Sequence, residues 1–194
     1  MEPGSPLRER KKAIQRQAIV VAAHRLFVER GYAATTVEAI CAEAAISAPT
    51  FFRYFPTKPD VFFAGAEEVV AEWSAIVLGS RRNESLLTVM RRATRSIGTV
   101  PEPRARIARM RGDLVRTDVE VRRKALELDH EFVERIADVI GTFLGLDATT
   151  DVRPHLVARC TMAAVRSAQS VAARSGRAES IALEIDRAFD ALAK

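Results

Sequence analysis

The segment from Ser47 to Lys58, SAPTFFRYFPTK, concentrates side chains that can bind a polyanion. An arginine, a tyrosine, a lysine and two threonines lie within this one short stretch. An arginine guanidinium can donate two parallel hydrogen bonds to a guanine edge, whereas lysine, threonine and tyrosine donate to phosphate oxygens. This combination of residue types indicates contact with duplex nucleic acid.

Two short helices joined by a tight turn are predicted to position these side chains. Thr35 and Thr36 can both cap the first helix, and Glu38, three residues after Thr35, can complete a capping box. Apolar residues then recur at helical spacing, at Val37, Ile40, Cys41 and Ala44. The turn that follows has the sequence AAI and contains no glycine to relax it.

The second helix is predicted to extend from Ser47 to Tyr54. Ser47 can cap it by accepting a bond from a first-turn N–H, and Pro49 lies in that turn, where its missing N–H costs nothing. Phe51 and Phe55, four residues apart, are predicted to face inward. The outer face then carries Ala48, Thr50, Phe52, Arg53 and Tyr54. A short helix with this outer face is shaped to enter a major groove.

The runs TTVEAI and ISAPTFFRYFPTK, with the preceding RLFVERGYAATT, resemble the helix-turn-helix of the TetR family of bacterial transcriptional regulators. The resemblance covers about residues 14 to 62. It implies an all-helical, two-domain dimer in which the rest of each chain binds a small molecule that controls DNA affinity. Two positions depart from the family pattern. Ala48-Pro49 stands where Lys-Gly is common, and Phe52 replaces a common tyrosine, so an ammonium and a phenol hydroxyl that often reach phosphate are absent.

Nine residues are therefore candidates for contact with an operator DNA. Arg53 is predicted to read a base, and Ala48 and Pro49 to offer apolar contacts to a thymine methyl. Ser47 and Phe52 complete the helix surface. Phosphate contacts that set the register are predicted for four further residues, namely Thr36, Thr50, Tyr54 and Lys58.

No strand-like alternation of any length occurs, so the chain is predicted to be all-α, with about nine helices. Residues 1–57 are predicted to form the helix-turn-helix domain and residues 58–194 a ligand-binding and dimerisation domain. In the second domain we expect one long helix over residues 58–80. Further helices are expected over residues 84–97, 104–115, 118–144, 154–175 and 179–193. The last two are rich in small or regularly spaced apolar residues, which suits close helix packing either within one chain or between two chains. The resemblance to the TetR family implies the second arrangement, a four-helix seam between two chains.

The N-terminus is predicted to begin with a disordered stretch over residues 1–7, followed by four cations and one acid over residues 8–12. These cations are either the solvated start of a helix or an arm that touches phosphate or the minor groove. The net charge is +5, and residues 1–60 hold nine Lys or Arg against six Asp or Glu. Positive charge is thus concentrated near the predicted DNA-binding helices.

Several classes of function find no support in the sequence. It contains no GxSxG elbow, P-loop, GxGxxG or HExxH motif, so no catalytic residue and no cofactor is predicted. His130 and Glu134 share a helical face but have no partner cluster with metal-ligand spacing, so a solvated face is expected. Cys41 and Cys160 are expected to fill small buried sites. No apolar run approaches the ~20 residues that span a bilayer, and no signal-peptide pattern occurs, so a cytoplasmic protein without a membrane partner is expected.

A small-molecule pocket is predicted between the middle helices. Its candidate lining residues are large and adaptable, and they are Trp73, Met90, Met110, Phe132 and Met162. The same residues fit a plain hydrophobic core equally well. Four arginines, at 104, 106, 109 and 111, can steady an anionic headgroup or form a solvated face. The tail LGLDATTDVRPHLVARCTMAAVRSA is similar to a regulator subgroup with fatty-acyl-CoA-responsive and mycofactocin-associated members, which favours a lipophilic or acyl-thioester effector.

Two hypotheses follow for the whole chain. The first is a homodimeric repressor that binds an inverted-repeat operator and is released by its effector. The second is a helical small-molecule-binding or enzymatic protein whose DNA-binding head is vestigial. Arg53, Tyr54 and Lys58 favour the first, whereas Ala48 and Phe52 leave room for the second.

Overall fold

The computed structural model describes residues 6–98, 104–175 and 181–193, and within these ranges the chain forms ten α-helices and no strand. The predicted all-α class is therefore confirmed. The helices are α1 (Pro6–Arg30), α2 (Val37–Glu43), α3 (Ala48–Tyr54), α4 (Lys58–Phe62), α5 (Ala66–Leu78), α6 (Leu86–Ile97), α7 (Arg104–Thr117), α8 (Val119–Leu144), α9 (Val152–Ser175) and α10 (Ile181–Leu192). None of the helices within the described ranges is long and apolar enough to cross a membrane.

The chain divides into two units, residues 1–64 with α1 to α4 and residues 65–194 with α5 to α10. The division falls after α4, whereas the sequence placed the domain boundary before it. The reason is that α4 packs against α1 and contributes Val61 and Phe62 to the buried interior of the first unit. DNA binding by the first domain, and ligand binding and dimerisation by the second, remain predictions.

The single long helix expected over residues 58–80 is wrong, because the structure has two helices there. α4 ends at Phe62, and Phe63 caps it. Gly65 then adopts φ +88°, in the left-handed region that glycine occupies without a steric cost, and α5 begins at Ala66. This break supplies the tenth helix.

Apolar residues of α1 form the centre of the first unit. These residues recur at helical spacing and are buried, at Ile19, Ala22, Ala23, Leu26 and Phe27. Phe27 packs edge-on against Phe62 with ring centroids 5.1 Å apart, and Tyr32 lies 4.6 Å from Phe62. Gly31 follows the last residue of α1 with φ +83°, in the left-handed region where a glycine commonly ends a helix. The first two turns of α1 include Pro6 and Leu7, so these two residues are not a disordered stretch; residues 1–5 lie outside the described ranges.

α2 is capped by Thr36 rather than by Thr35. The Thr36 hydroxyl accepts a hydrogen bond from the Ala39 N–H at 3.2 Å, whereas Thr35 is fully buried and donates to the Gly31 carbonyl at 2.8 Å. The capping box predicted from Thr35 and Glu38 is therefore wrong. Between α2 and α3, Ala45 has φ +52°, a left-handed conformation that costs a residue with a Cβ roughly 1 kcal/mol.

The second unit is built around α8 and α9, which pack along each other. α5 and α7 pack against α8, and α10 packs against α9 and α6. Its buried core takes residues from α5, α6, α8, α9 and α10. Gly98 allows a close approach of α6 to α10, since a Cβ there would lie 2.9 Å from Ile185 Cδ1. Pro101, Pro103 and Gly176, which are residue types that end helices, lie outside the described residues.

Candidate nucleic-acid interface

α3 begins as the sequence predicted. Ser47 is its N-cap, with its side-chain oxygen accepting from the Thr50 N–H at 3.4 Å and lying 3.0 Å from the Thr50 hydroxyl. Pro49 lies in the first turn, where no intrahelical N–H is required. The cap therefore fixes the start of the helix with residues that are also candidates for DNA contact.

Phe51 and Phe55 determine which face of α3 is exposed. Both rings are buried in the first unit, as predicted from their four-residue spacing. Phe52 is half exposed and Arg53 is exposed, so the predicted outer face lies on the surface. The remaining outer-face candidates are exposed or half-buried, namely Ser47, Ala48, Pro49, Thr50 and Tyr54.

Arg53 presents a cation at this surface. Its Cζ lies 5.3 Å from the centroid of the Tyr54 ring, a cation–π distance. Within the described parts of the chain, no carboxylate forms an ion pair with Arg53. A guanidinium without an acidic partner keeps its donors available for a base or a phosphate.

Two residues of α1 hold the C-terminal end of α3, and sequence analysis missed both. The Tyr54 hydroxyl donates to the Gln15 side-chain oxygen at 2.8 Å. The Arg16 guanidinium lies over the Phe55 ring, with its Cζ 5.0 Å from the centroid. The only sequence signal was their position on α1, one turn before the buried Ile19, on the side that faces the rest of the unit.

The Lys58 side chain ties the start of α4 to the segment between α1 and α2. Its ammonium donates to the Tyr32 carbonyl at 3.0 Å and to the Thr35 carbonyl at 3.1 Å, and lies 4.1 Å from the centroid of the Tyr32 ring. Thr57 caps α4 in a capping box with Asp60. Lys58 therefore has a structural role within the first unit.

Two titratable side chains of α2 have shifted pKa values. The pKa of Glu38 is lowered, first by its own backbone N–H and then by the Thr36 hydroxyl. Burial, with a smaller contribution from the Glu38 charge, raises the pKa of the Cys41 thiol. A buried thiol with a raised pKa carries little thiolate at neutral pH, so Cys41 is not an activated nucleophile.

The basic residues before Ala13 lie on the first turns of α1 rather than on an extended arm. All four of them are exposed, at Arg8, Arg10, Lys11 and Lys12. Arg8 and Lys12 each precede a buried residue, Ile19 and Ala23, by eleven positions, which is close to three helical turns. They therefore extend the α1 face that meets α3, whereas Arg10 lies on the opposite face.

The residues predicted to line a pocket are brought together only in part. Trp73 and Met90 are buried in the core of the second unit, where the Trp73 indole N–H donates to the Thr94 hydroxyl at 3.3 Å. Phe132 and Met162 are partly buried and pack against the same core. Met110 is half-buried on α7, outside this group.

Most charged side chains in the polar clusters of the second unit form ion pairs or hydrogen bonds with other residues of the same unit. An open groove of about 400 Å³ between α6 and α10 is lined by Thr88, Arg91, Arg92, Arg95, Ser96 and Asp186. Arg91 binds Asp186 at 2.9 Å and Asp190 at 2.7 Å, so much of its charge is neutralised. Glu134 bonds to His155 at 2.9 Å. No group of three or more potential metal ligands occurs among the residues that the structure describes.

Comparison with known proteins matches most of each unit to a family model. Residues 19–64 match the family model for bacterial regulatory proteins of the tetR family, and residues 84–194 match the MftR C-terminal domain. The HTH-type transcriptional regulator TcmR of Streptomyces glaucescens is 28% identical over 162 residues, which cover 79% of this chain and 71% of TcmR.

Solved structures of transcriptional regulators share the fold. FadR of Thermus thermophilus, a TetR-family repressor in complex with lauroyl-CoA, has a TM-score of 0.65 at 23% identity, with 90% of this chain and 91% of that chain covered. FadR of Bacillus subtilis, in complex with stearoyl-CoA, has a TM-score of 0.57 at 16% identity, with 90% and 95% covered.

Replacing Lys58 with methionine is expected to lower the free energy of unfolding of the first unit by about 1–3 kcal/mol, because two partly buried carbonyls lose their donor. Urea denaturation followed by circular dichroism, with hydrogen exchange to localise the change, measures the effect. Lys12→Met, at an exposed lysine, is the control and should stay within about 0.5 kcal/mol of the parent. Equal stabilities for the two variants would contradict a structural role for Lys58.

Proposed function

Because the chain belongs to the TetR family of bacterial regulatory proteins, we propose that it is a dimeric repressor that binds an inverted-repeat operator and is released by a small effector. Members of this family are transcriptional regulators and not enzymes. The observation that carries the proposal is the exposed outer face of α3, with Arg53 at its surface and both phenylalanines buried beneath it. An exposed helix of this kind fits a major groove.

Arg53 is the proposed base-reading residue, since its guanidinium is exposed and can bond to both acceptors of a guanine edge. Thr36, Thr50 and Lys58 are proposed to contact phosphates and so to set the register of α3 on the duplex. Ala48, Pro49 and Phe52 supply apolar surface, and Ser47 caps the helix within it. Support for this assignment comes from accessibility: Thr36 at the start of α2 is exposed, the α3 residues among them are exposed or half-buried, and Lys58 at the start of α4 is half-buried.

The first turns of α1 extend the proposed DNA-binding surface. Arg8 and Lys12 lie on the α1 face that also carries Gln15 and Arg16, the two residues in contact with α3. Cations at the edge of a recognition helix attract the phosphates that flank the bases it reads. We therefore assign Arg8 and Lys12 to flanking phosphate contacts.

Dimerisation is proposed to use α9 and α10. Buried alanines on α9, such as Ala158, Ala164 and Ala168, pack within the chain, so part of its small-residue content is explained without a second copy. Its other face exposes large apolar residues, including Leu156 at 58% and Val171 at 45%. Exposed apolar surface of this size on a helix supports contact with a second chain.

The proposed effector is lipophilic, and an acyl thioester is the first candidate class. The acyl-CoA complexes of the two FadR proteins support this class. Within this chain, Arg111 on α7 is half-buried, and burial lowers its guanidinium pKa to about 10. A cation partly removed from water attracts an anionic headgroup. Phe132 and Met162, which are partly buried at the edge of the apolar core, are proposed to contact the acyl chain.

Arg53→Ala is expected to relax base preference at one position of each half-site, by roughly 5- to 150-fold, the range a bidentate arginine supplies. Lys58→Ala should instead weaken binding to all sequences alike and reduce the salt slope by about 1. Selection of duplexes from a random pool, followed by titration of single-base variants at two salt concentrations, measures both effects. Arg30→Ala, exposed at the end of α1, serves as the control.

Three outcomes would argue against the proposed function. Selection that recovers no inverted repeat, or sedimentation that finds only monomers, would contradict the dimeric operator complex. Binding that does not weaken with salt would favour the vestigial head instead, because phosphate neutralisation makes affinity strongly salt-dependent.

The double variant Arg8→Gln/Lys12→Gln is expected to reduce the salt slope of operator binding by about 2, since each lost phosphate contact removes close to one released counterion. Its base preference should stay that of the parent. Arg10→Gln, on the opposite face of α1, is the matched control and should leave the slope unchanged. A double variant with the parent slope would mean that these cations form only a solvated helix start.

Lauroyl-CoA or stearoyl-CoA is expected to raise the dissociation constant for the selected operator by about 5- to 150-fold at saturation, a typical allosteric coupling. Coenzyme A alone and the free fatty acids are the controls, because they separate the headgroup from the chain. Fluorescence anisotropy of a labelled operator measures the release. If neither thioester changes the affinity, the acyl-thioester class is excluded, whereas the operator complex still stands.

A further inference from the structure

We propose that Gln15 is a positioning residue for sequence reading, acting through Tyr54 on Arg53. This inference rests on the proposed function, in which Arg53 contacts a base. It also changes the role of Tyr54, from a phosphate ligand to the platform on which the Arg53 side chain is held.

The single hydroxyl hydrogen of Tyr54 decides between these roles. Phosphate oxygens only accept hydrogen bonds, so a tyrosine must donate its one hydrogen to contact them. In this structure the Tyr54 hydroxyl donates that hydrogen to the Gln15 side-chain oxygen, with a donor–acceptor distance of 2.8 Å. Tyr54 is half-buried, and its partner lies 39 residues away on another helix. The bond therefore locks the ring in a fixed position against α1.

Arg53 depends on that ring for its own orientation. An exposed arginine has many rotamers, and ordering it on DNA costs conformational entropy. The face of the Tyr54 ring lies 5.3 Å from the Arg53 Cζ, close enough for a cation–π contact that restricts the guanidinium before DNA arrives. A guanidinium that is already oriented loses less entropy when it forms a bidentate bond.

The position of α3 itself does not depend on Gln15 alone. The neighbouring Arg16 lies over the Phe55 ring, and both Phe51 and Phe55 are buried. Removal of the Gln15 side chain should therefore leave the helix in place while freeing the Tyr54 ring. That separation makes the positioning role testable apart from folding.

The test measures relative affinities for the duplex selected by the full-length protein and for its single-base variants. Gln15→Ala should reduce discrimination at the Arg53 position by about three- to tenfold, part of what a bidentate arginine supplies. The salt slope should be unchanged, because no cation that contacts a phosphate is removed. Tyr54→Phe, which keeps the ring but removes the hydroxyl, should have the same effect. Gln15→Glu, which keeps an acceptor for the hydroxyl, should restore the parent preference.

Two controls separate this inference from the proposed function. Gln17→Ala, at an exposed glutamine of α1, should change nothing. In the Arg53→Ala background, Gln15→Ala should have no further effect on base preference, as residues that act in one chain of contacts are not additive. If Arg53→Ala relaxes base preference but Gln15→Ala does not, or if Tyr54→Phe weakens binding to all sequences alike without changing base preference, the positioning role is wrong and the base contact stands. If Arg53→Ala leaves base preference intact, the base contact falls and the role of Gln15 falls with it.

Discussion

The burial of Phe51 and Phe55 is the constraint from which the surface chemistry of this protein follows. Both rings pack inside the first unit, and their four-residue spacing fixes the rotation of α3 about its axis. Once that rotation is fixed, Phe52 and Arg53 must face solvent. Two buried apolar side chains contribute several kcal/mol to folding, and the same contacts determine which residues can meet a ligand as large as DNA.

Long-range polar contacts then fix the position of α3 relative to its neighbours. Gln15 and Arg16 hold its C-terminal end from α1, and Lys58 joins the start of α4 to the carbonyls of Tyr32 and Thr35. The cations and the amide of these side chains form contacts within the first unit. The same region is proposed to bind the phosphates of DNA. Arg16 and Lys58 therefore stabilise the first unit with the same charge sign as its proposed binding surface, whereas Gln15 is neutral.

The sequence predicted those features of the first unit that depend on residues close together in the sequence. The Ser47 cap, the position of Pro49 and the inward direction of Phe51 are local, and all three are confirmed. The Gln15–Tyr54 bond was not predicted, because it joins residues on different helices that only the folded chain brings together. The long helix over residues 58–80 was wrong because a glycine within a periodic pattern does not reveal whether its φ will be positive.

The second unit shows where sequence periodicity loses information about function. Core and pocket residues are drawn from the same apolar types, so spacing alone could not separate Trp73 and Met90 from Phe132 and Met162. The first two are enclosed by the core, and the other two lie at its edge. α7 has a buried apolar residue at Ile107 but is otherwise half-buried or exposed among its described residues, so it has fewer buried apolar residues than the other described helices of the second unit. Helices with few buried apolar contacts open at low free-energy cost, which a ligand can exploit.

The enclosed position of Trp73 also gives the two units separate optical labels. It is the single tryptophan of the chain and lies in the second unit, whereas both tyrosines, Tyr32 and Tyr54, lie in the first. Indole and phenol chromophores absorb and emit at different wavelengths, so each half of the native protein can be followed without a dye or a substitution. Unfolding of the first unit and unfolding of the second unit are thus spectroscopically distinguishable events in the unmodified chain.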